Sequence, residues 1–546
     1  MTGRREGNGA GRAPRDSDRA VIRQSGLTGL AAGASVAFGL LLDITIAARF
    51  GAGRSTDAFF VAARIPLGLV AVVLVVANQA LVPAFNTSMT KHGDAATNRL
   101  VSRIVGTVIL AGAGLLLVVS LLAYQLVRIT APGISAAEVS TAAAMVPIVF
   151  AIVPLIAVSE VMRAFLNARY AFIAPALMNV VLSGLAAAVI LIGPRHDINV
   201  VAWGYLVGAV GQVSFTVAMA TRRGLRLRPA LDLRNPELRA VGALSVRPFA
   251  AAGCNPLARL GEQLMVSFLP PGSITILNYG YRLTSAIGGT IFFRSVVVAL
   301  VPRLTEAHLR GDDQEVLRIT GLGMRIMLAL SVPLTVFMAV LAKPAAMVVF
   351  QRGNFSSASA SLLGIVLAVY SISLVGSALQ RVLLAPFFAR LDTRTPLRNT
   401  IYGVAANLAL LPLLTLPFGW GNPNAIIGIA LAYSLAQFVN VAHARHRLRR
   451  MIGSPGRGLA RLAPRLIGAS VISGAAMLGA VLLFQLDDAL PRGTLFLRTA
   501  LTGLGGAAIL AAAMLILAGR DLSTSWRSLR GRPRKRTLQT DSESLS

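Results

Sequence analysis

Uninterrupted apolar runs of roughly 20 residues recur along this chain, and they limit its fold more than any other feature. A helix of that length crosses a hydrocarbon layer about 30 Å thick. Backbone polar groups cannot be left open in lipid, so the runs predict helices. The ten-residue alternation of barrel strands does not occur. The runs fall near 28–49, 57–86, 103–127, 143–165, 172–193, 199–220, 245–269, 273–302, 320–349, 358–387, 398–416, 424–443, 464–485 and 496–518. They predict an all-α polytopic membrane protein with fourteen transmembrane helices. Of the 546 residues, 55% are hydrophobic and 14% charged, too few charges to cover a soluble surface of this size.

The net charge of +30 is concentrated between the spans. Arg4, Arg5, Arg12, Arg15, Arg19 and Arg23 precede the first span, and further arginines crowd the 221–244 and 444–463 loops and the 519–546 tail. With an even number of spans these segments share one side, whereas LPPGS, LPFGWGNPN and QLDDALPRG on the other side are poor in base. The positive-inside bias makes both termini cytoplasmic, with anionic lipid headgroups rather than nucleic acid as the partners of this charge. Residues 1–27 lack an apolar signal core and are expected to be a disordered tail. Cys254 is the single cysteine, and His92, His196, His308, His443 and His446 show no metal-ligand spacing. No phosphate-binding GxxxxGK[ST] loop occurs, so no ATP-driven step or cofactor is expected, and coupling to a monovalent ion or the membrane potential is left open.

The chain repeats itself weakly. Arg64 in AARIP corresponds to Arg282 in YGYRL, and Val82-Pro83 to Val301-Pro302. Ala168-Arg169 with Pro175 corresponds to Ala389-Arg390 with Pro396, giving offsets of 218 to 221 residues. Six spans separate equivalent positions, so the repeats run parallel and build two lobes with a site between them near mid-depth. The expected division is an N-lobe over 28–220, a C-lobe over 245–443 and an appended helix pair over 464–518.

Ionisable residues inside spans are costly and usually face a cavity or a partner. Asp43, Arg64, Arg259, Glu262 and Arg282 are deep or repeat-related and are the candidate cavity residues. Arg259 and Glu262 lie three apart, on one helix face. Arg49, Arg163 and Arg294 are read as paired or snorkelling side chains. Asp57 precedes an apolar helix and is read either as an N-terminal cap or as a coupling group. Arginine suits a phosphate-bearing cargo because its planar fork keeps its charge and binds oxyanions bidentately.

The stretches GAGRSTDAFFVAARIP, ALVPAF, FLNARYAFIAPALMNVV, GSITILNYGYRL, VPRLTEA, QRGNF and FFARLDTRTPLRNT occur in one order over most of the chain. Together they resemble the signatures of the MurJ/MviN family of lipid II flippases, in the multidrug/oligosaccharidyl-lipid/polysaccharide exporter superfamily. The resemblance implies a transporter rather than an enzyme. Its cargo would be a polyprenyl-diphosphate-linked glycan, moved from the inner to the outer leaflet by alternating access for peptidoglycan synthesis. Membrane lipids and the cell-wall synthesis machinery are the other partners it implies. Arg64 and Arg282 would contact the diphosphate from the two lobes. The chain departs from the family pattern in the first span, where Ser35, Gly39 and Asp43 remain but the usual arginines do not. It departs again after Arg64-Ile65-Pro66, where Leu67-Gly68-Leu69-Val70-Ala71 replaces a basic continuation. These losses keep open a flippase for another lipid-linked oligosaccharide, a non-transporting cell-wall regulator and a cation-coupled exporter of small molecules.

Overall fold

The computed structural model describes residues 13–529 except 233, 289–292, 420, 457–458 and 488–489. Its helices are α1 (Ala13–Phe50), α2 (Arg54–Val76), α3 (Val82–Leu121), α4 (Ala123–Thr130), α5 (Ala136–Phe150), α6 (Ile152–Ala168), α7 (Ile173–Ile192) and α8 (Asn199–Arg222). They continue as α9 (Pro236–Val266), α10 (Ser273–Ser285), α11 (Phe293–Leu309), α12 (Asp313–Phe350), α13 (Ser357–Ala389), α14 (Arg394–Thr415), α15 (Ala425–Met451), α16 (Leu459–Leu483) and α17 (Arg492–Leu529). The chain is a multi-pass membrane protein: among the described residues, eleven helices are long and apolar enough to cross a membrane.

That number and the fourteen expected spans differ for local reasons. Residues Arg54–Leu121 form one continuous stretch of 68 residues that holds the expected second span and most of the third. It reverses at Gly93, whose φ of 76° and ψ of −178° are accessible to glycine almost alone. The Thr97 hydroxyl donates to Ser88 Oγ at 3.2 Å, although nine residues of straight helix would separate them by about 13.5 Å. The expected seventh span, α9, carries charge and two internal prolines, and the eighth is divided into α10 and α11. The first is not apolar enough to be counted, and the two halves of the second, of 13 and 17 residues, are too short to cross alone. Gly93→Val is expected to cost about 1–3 kcal/mol, seen as a lower unfolding midpoint in detergent.

The first helix also differs from expectation. Its backbone is helical from Ala13, whereas residues 1–27 are expected to be disordered. A proline in the first turn followed by Asp16 and Asp18 favours helix initiation, and the apolar span then extends it. Residues 1–12 and 530–546 and the Arg294 side chain lie outside the described residues.

The repeat is visible in the backbone. Tyr170 and Leu391, 221 residues apart, both adopt φ of 57°. Beside each, an arginine clamps an acid of an earlier turn: Arg169 reaches Asp94, just after the Gly93 reversal, at 2.7 Å, and Arg390 reaches Asp313, at the start of α12, at 2.5 Å. The last two helices, α16 and α17, pack against α12 outside the repeat. A Cβ at Gly474 would run into Val336 there, and one at Gly506 into Met477 and Phe337.

Packing differs between the two ends of the bundle. Near the basic loops each lobe has its own core. One is built around Phe85, Leu100 and Phe165, the other around Leu304, Met327 and Phe387. At the opposite end a single core crosses between the lobes, with Phe60 against Tyr279 at 5.5 Å and Tyr279 stacked on Phe350 at 5.0 Å. The lobes therefore share one core at the end poor in base and have separate cores toward the basic end, where the start of α9 still packs on the N-lobe core through Val241.

Candidate functional site

Between the lobes lies a cavity of about 1150 Å³. Four arginines line it, Arg64 on α2, Arg259 on α9, Arg282 on α10 and Arg381 on α13, and its described lining includes no carboxylate. The α2 wall is otherwise apolar, through Ala63, Leu67, Ala71 and Val72, while Gln380, Asn407, Gln437 and Asn440 give the C-lobe wall amide groups. Gly68 lets α2 approach α9 closely, since a Cβ there would lie 3.2 Å from the Pro256 ring.

The four arginines are held differently. Arg64 donates through Nε to Gln263 Oε1 at 2.7 Å and meets no carboxylate among the described residues. Arg282 pairs with the buried Asp43 across the lobes at 2.7 Å and lies 3.5 Å from the Tyr205 hydroxyl, with a third of its side chain exposed. Arg259 is more deeply committed. It pairs with Glu262 at 2.5 Å, and its guanidinium stands 3.2 Å from the Tyr281 ring centre and 4.5 Å from that of Tyr433. Glu262 also accepts from Asn407 Nδ2 at 2.8 Å. Cation–π contact and a buried ion pair fix Arg259 as part of the wall. Sequence reasoning missed Arg381, although it is the single charged residue within Ser357–Ala389.

Asp57 lies outside this cavity, at the joined end. Sequence suggests a cap for its own helix, but its carboxylate caps the start of α10 in the other lobe. Oδ2 accepts from the Gly272 amide at 2.6 Å, and Oδ1 accepts from the Thr275 amide at 2.8 Å and its hydroxyl at 2.6 Å. Gly272 has φ of 94°, and a Cβ there would come 2.7 Å from the Ala52 carbonyl. Two further contacts join the lobes at this end. The Gly133 amide donates to Ser267 Oγ at 3.0 Å, and Asn354 bonds the carbonyls of Ala48 and Arg49 at 2.8 and 2.6 Å.

Of the arginines read as paired or snorkelling, Arg49 and Arg163 have structural partners. Arg49 donates to the carbonyls of Leu191 and Gly193 at the end of α7. Arg163 pairs with Glu160 and donates to Asn78. The cavity is thus a cationic, half-apolar chamber closed at one end by an acid-capped helix, an arrangement that suits an amphiphile bearing a multivalent anion.

The family model described as "Lipid II flippase MurJ" matches residues 46–489. The chain belongs to the MurJ family. A Burkholderia cenocepacia relative named "Lipid II flippase MurJ" is 29% identical, the match covering 84% of this chain and 89% of the relative. A Vibrio cholerae relative named "Probable lipid II flippase MurJ" is 28% identical, over 88% of this chain and 93% of its own. Among solved structures, "Lipid II flippase MurJ, inward closed conformation" superposes with a TM-score of 0.75 at 18% identity, covering 91% of this chain and 99% of that one. An inward-facing MATE transporter follows with a TM-score of 0.65 at 13% identity, over 76% and 95%. These structural likenesses concern the fold alone, an all-helical membrane bundle.

Proposed function

We propose that this MurJ-family chain moves lipid II, a polyprenyl-diphosphate-linked glycan precursor, from the inner to the outer leaflet by alternating access. One observation carries the reading: four arginines and no described carboxylate line a cavity between lobes whose shared core lies at one end. A diphosphate bears the charge that such a lining lacks. The positive-inside bias puts the basic loops and both termini in the cytoplasm, so the cavity faces the leaflet where such precursors are made. The lobes then take the limits 28–220 and 245–443, joined by the 221–244 loop, and the 444–463 loop leads to the appended pair over 464–518. The basic loops would rest on anionic membrane lipid, and the product would pass to the cell-wall synthesis machinery.

Arg64, which has no acid to release, is the first contact for the diphosphate. Arg282 joins it from the other lobe once phosphate oxygens displace Asp43. Bridging the two arginines draws the cavity walls together, and opening the far end then requires Asp57 to release α10. Asp43→Asn removes the competitor for Arg282. It is expected to raise affinity for inorganic pyrophosphate about tenfold, measured by calorimetry on the purified protein. The proposal itself is tested in vesicles reconstituted with the protein, by following labelled lipid II with a membrane-impermeant modifying enzyme. Protein-dependent access to the inner pool supports it, and access equal to that in protein-free vesicles refutes it.

The absence of the usual first-span arginines favours a second reading, in which the cargo is another polyprenyl-linked oligosaccharide. The diphosphate contacts are then the same and the glycan differs.

A further inference from the structure

The four cavity arginines do not share one level. Asp57 ties the first turn of α2 to the first turn of α10, so these two helices start side by side. Arg64 lies seven residues beyond Asp57 and Arg282 seven beyond Thr275, which puts both at about the same depth. Arg381 is elsewhere. On α13, Tyr370 meets Tyr281, the neighbour of Arg282, with ring centres 6.4 Å apart. From there α13 runs toward the basic end, where Phe387 joins the C-lobe core. Arg381 comes eleven residues after Tyr370, about 16 Å farther along.

The wall between these two levels is a ladder of amides. On α15, Tyr433 meets Tyr370 at 5.5 Å, and Gln437 and Asn440 follow it about 6 and 10 Å along the same direction. Gln380, beside Arg381, donates through Nε2 to Asn399 Oδ1 at 2.7 Å, and Asn399 donates to the Asn440 carbonyl at 2.7 Å. Gln380, Arg381, Gln437 and Asn440 all line the cavity, and the α2 wall beyond Arg64 is apolar. Arg381 is exposed. Arg64 and Arg282 are the proposed diphosphate contacts and Arg259 belongs to the wall, so that reading gives Arg381 no part. A neutral glycan would present nothing to a guanidinium so far from the diphosphate. Amides both donate and accept, which suits hydroxyl and peptide groups alike, and the planar fork of arginine suits a carboxylate. We infer that Arg381 reads a carboxylate on the polar head of the cargo, about 16 Å from the diphosphate contacts, and so selects a peptide-bearing glycan over a neutral one. A few residues of extended peptide cover that distance. The assignment rests on the lipid-diphosphate reading above and adds the chemical class of the head.

The test uses the full chain in nanodiscs with three probes. These are a polyprenyl-diphosphate disaccharide carrying a short peptide with free carboxylates, the same molecule with every carboxylate converted to carboxamide, and inorganic pyrophosphate. The carboxylate probe is expected to bind the unaltered chain about tenfold more tightly than the carboxamide probe. Arg381→Gln should bring that ratio to about one, because the carboxylate then gains nothing over the amide. Arg381→Met, of similar length, gives the same reading should Arg381→Gln fail to fold. Arg381→Lys, which keeps the charge without the fork, should leave about threefold. Equal binding of the two lipid probes by the unaltered chain, or a tenfold ratio that survives loss of the Arg381 charge, overturns the carboxylate assignment, while pyrophosphate binding keeps the diphosphate reading intact. If none of the three probes binds the unaltered chain, the diphosphate reading fails and the carboxylate assignment falls with it.

Discussion

Replacing Arg64 with alanine is expected to abolish transport while leaving a folded, membrane-inserted protein. Arg64 is half-buried in the cavity wall, and its one hydrogen bond is to the amide oxygen of Gln263, so its removal strands no buried charge. What is lost is a guanidinium on the cavity wall, where the proposed diphosphate would bind. Removing such a charge from a polar contact costs about 2–5 kcal/mol, a hundredfold or more in binding at the middle of that range. Arg64→Lys keeps the charge without the bidentate fork and should retain partial activity. Arg282→Ala should also abolish transport, but it leaves Asp43 buried without its cation and so combines lost binding with lost stability. Complementation of a depleted strain, with protein levels measured alongside, checks both. Full activity of Arg64→Ala at normal expression would remove Arg64 from the mechanism.

Asp57→Ala is expected to open the joined end. Three donors from the start of α10 would lose their carboxylate acceptor, and that helix would lose the negative charge at its N-terminus. Hydrogen bonds to a charged acceptor contribute about 1.5–3 kcal/mol each, so even partial replacement by water shifts the equilibrium between conformations by tenfold or more. Spin labels on Gly53→Cys and Ala358→Cys, placed in the two lobes in a Cys254→Ser background, report the separation directly. The account predicts a longer, broader distance distribution for Asp57→Ala than for the unaltered latch. Identical distributions would mean that the Asp57 contact does not hold the lobes together. Asp57→Asn, which can accept but not with full charge, should fall between.

Membrane insertion, the helical class and the lobed repeat were legible in the sequence because lipid imposes them on short stretches of chain. A span must be apolar over about 20 residues whatever its neighbours are, and Ala168-Arg169 and Ala389-Arg390 mark the same turn in each lobe. The Arg259–Glu262 pair was legible for the same reason, since three residues on one helix bring them together. The tyrosines around Arg259 were not, because Tyr281 and Tyr433 come from α10 and α15. Asp57 shows the limit most clearly. Its position at the start of α2 suggested a local cap, but its partners lie 215 and 218 residues away across the lobe interface. Arg381 was visible as a lone charge in an apolar span and was passed over. Gly93 looked like an ordinary loop residue, and its positive φ shows that the chain reverses there with almost no loop at all.

Whether the cavity carries lipid II rather than another lipid-linked glycan is decided most directly by one measurement in cells. The protein is depleted and lipid II is quantified in each leaflet, together with the cell's other polyprenyl-linked saccharides. The account predicts that lipid II accumulates in the inner leaflet and disappears from the outer one. Unchanged lipid II exposure accompanied by loss of a different surface glycan would contradict it.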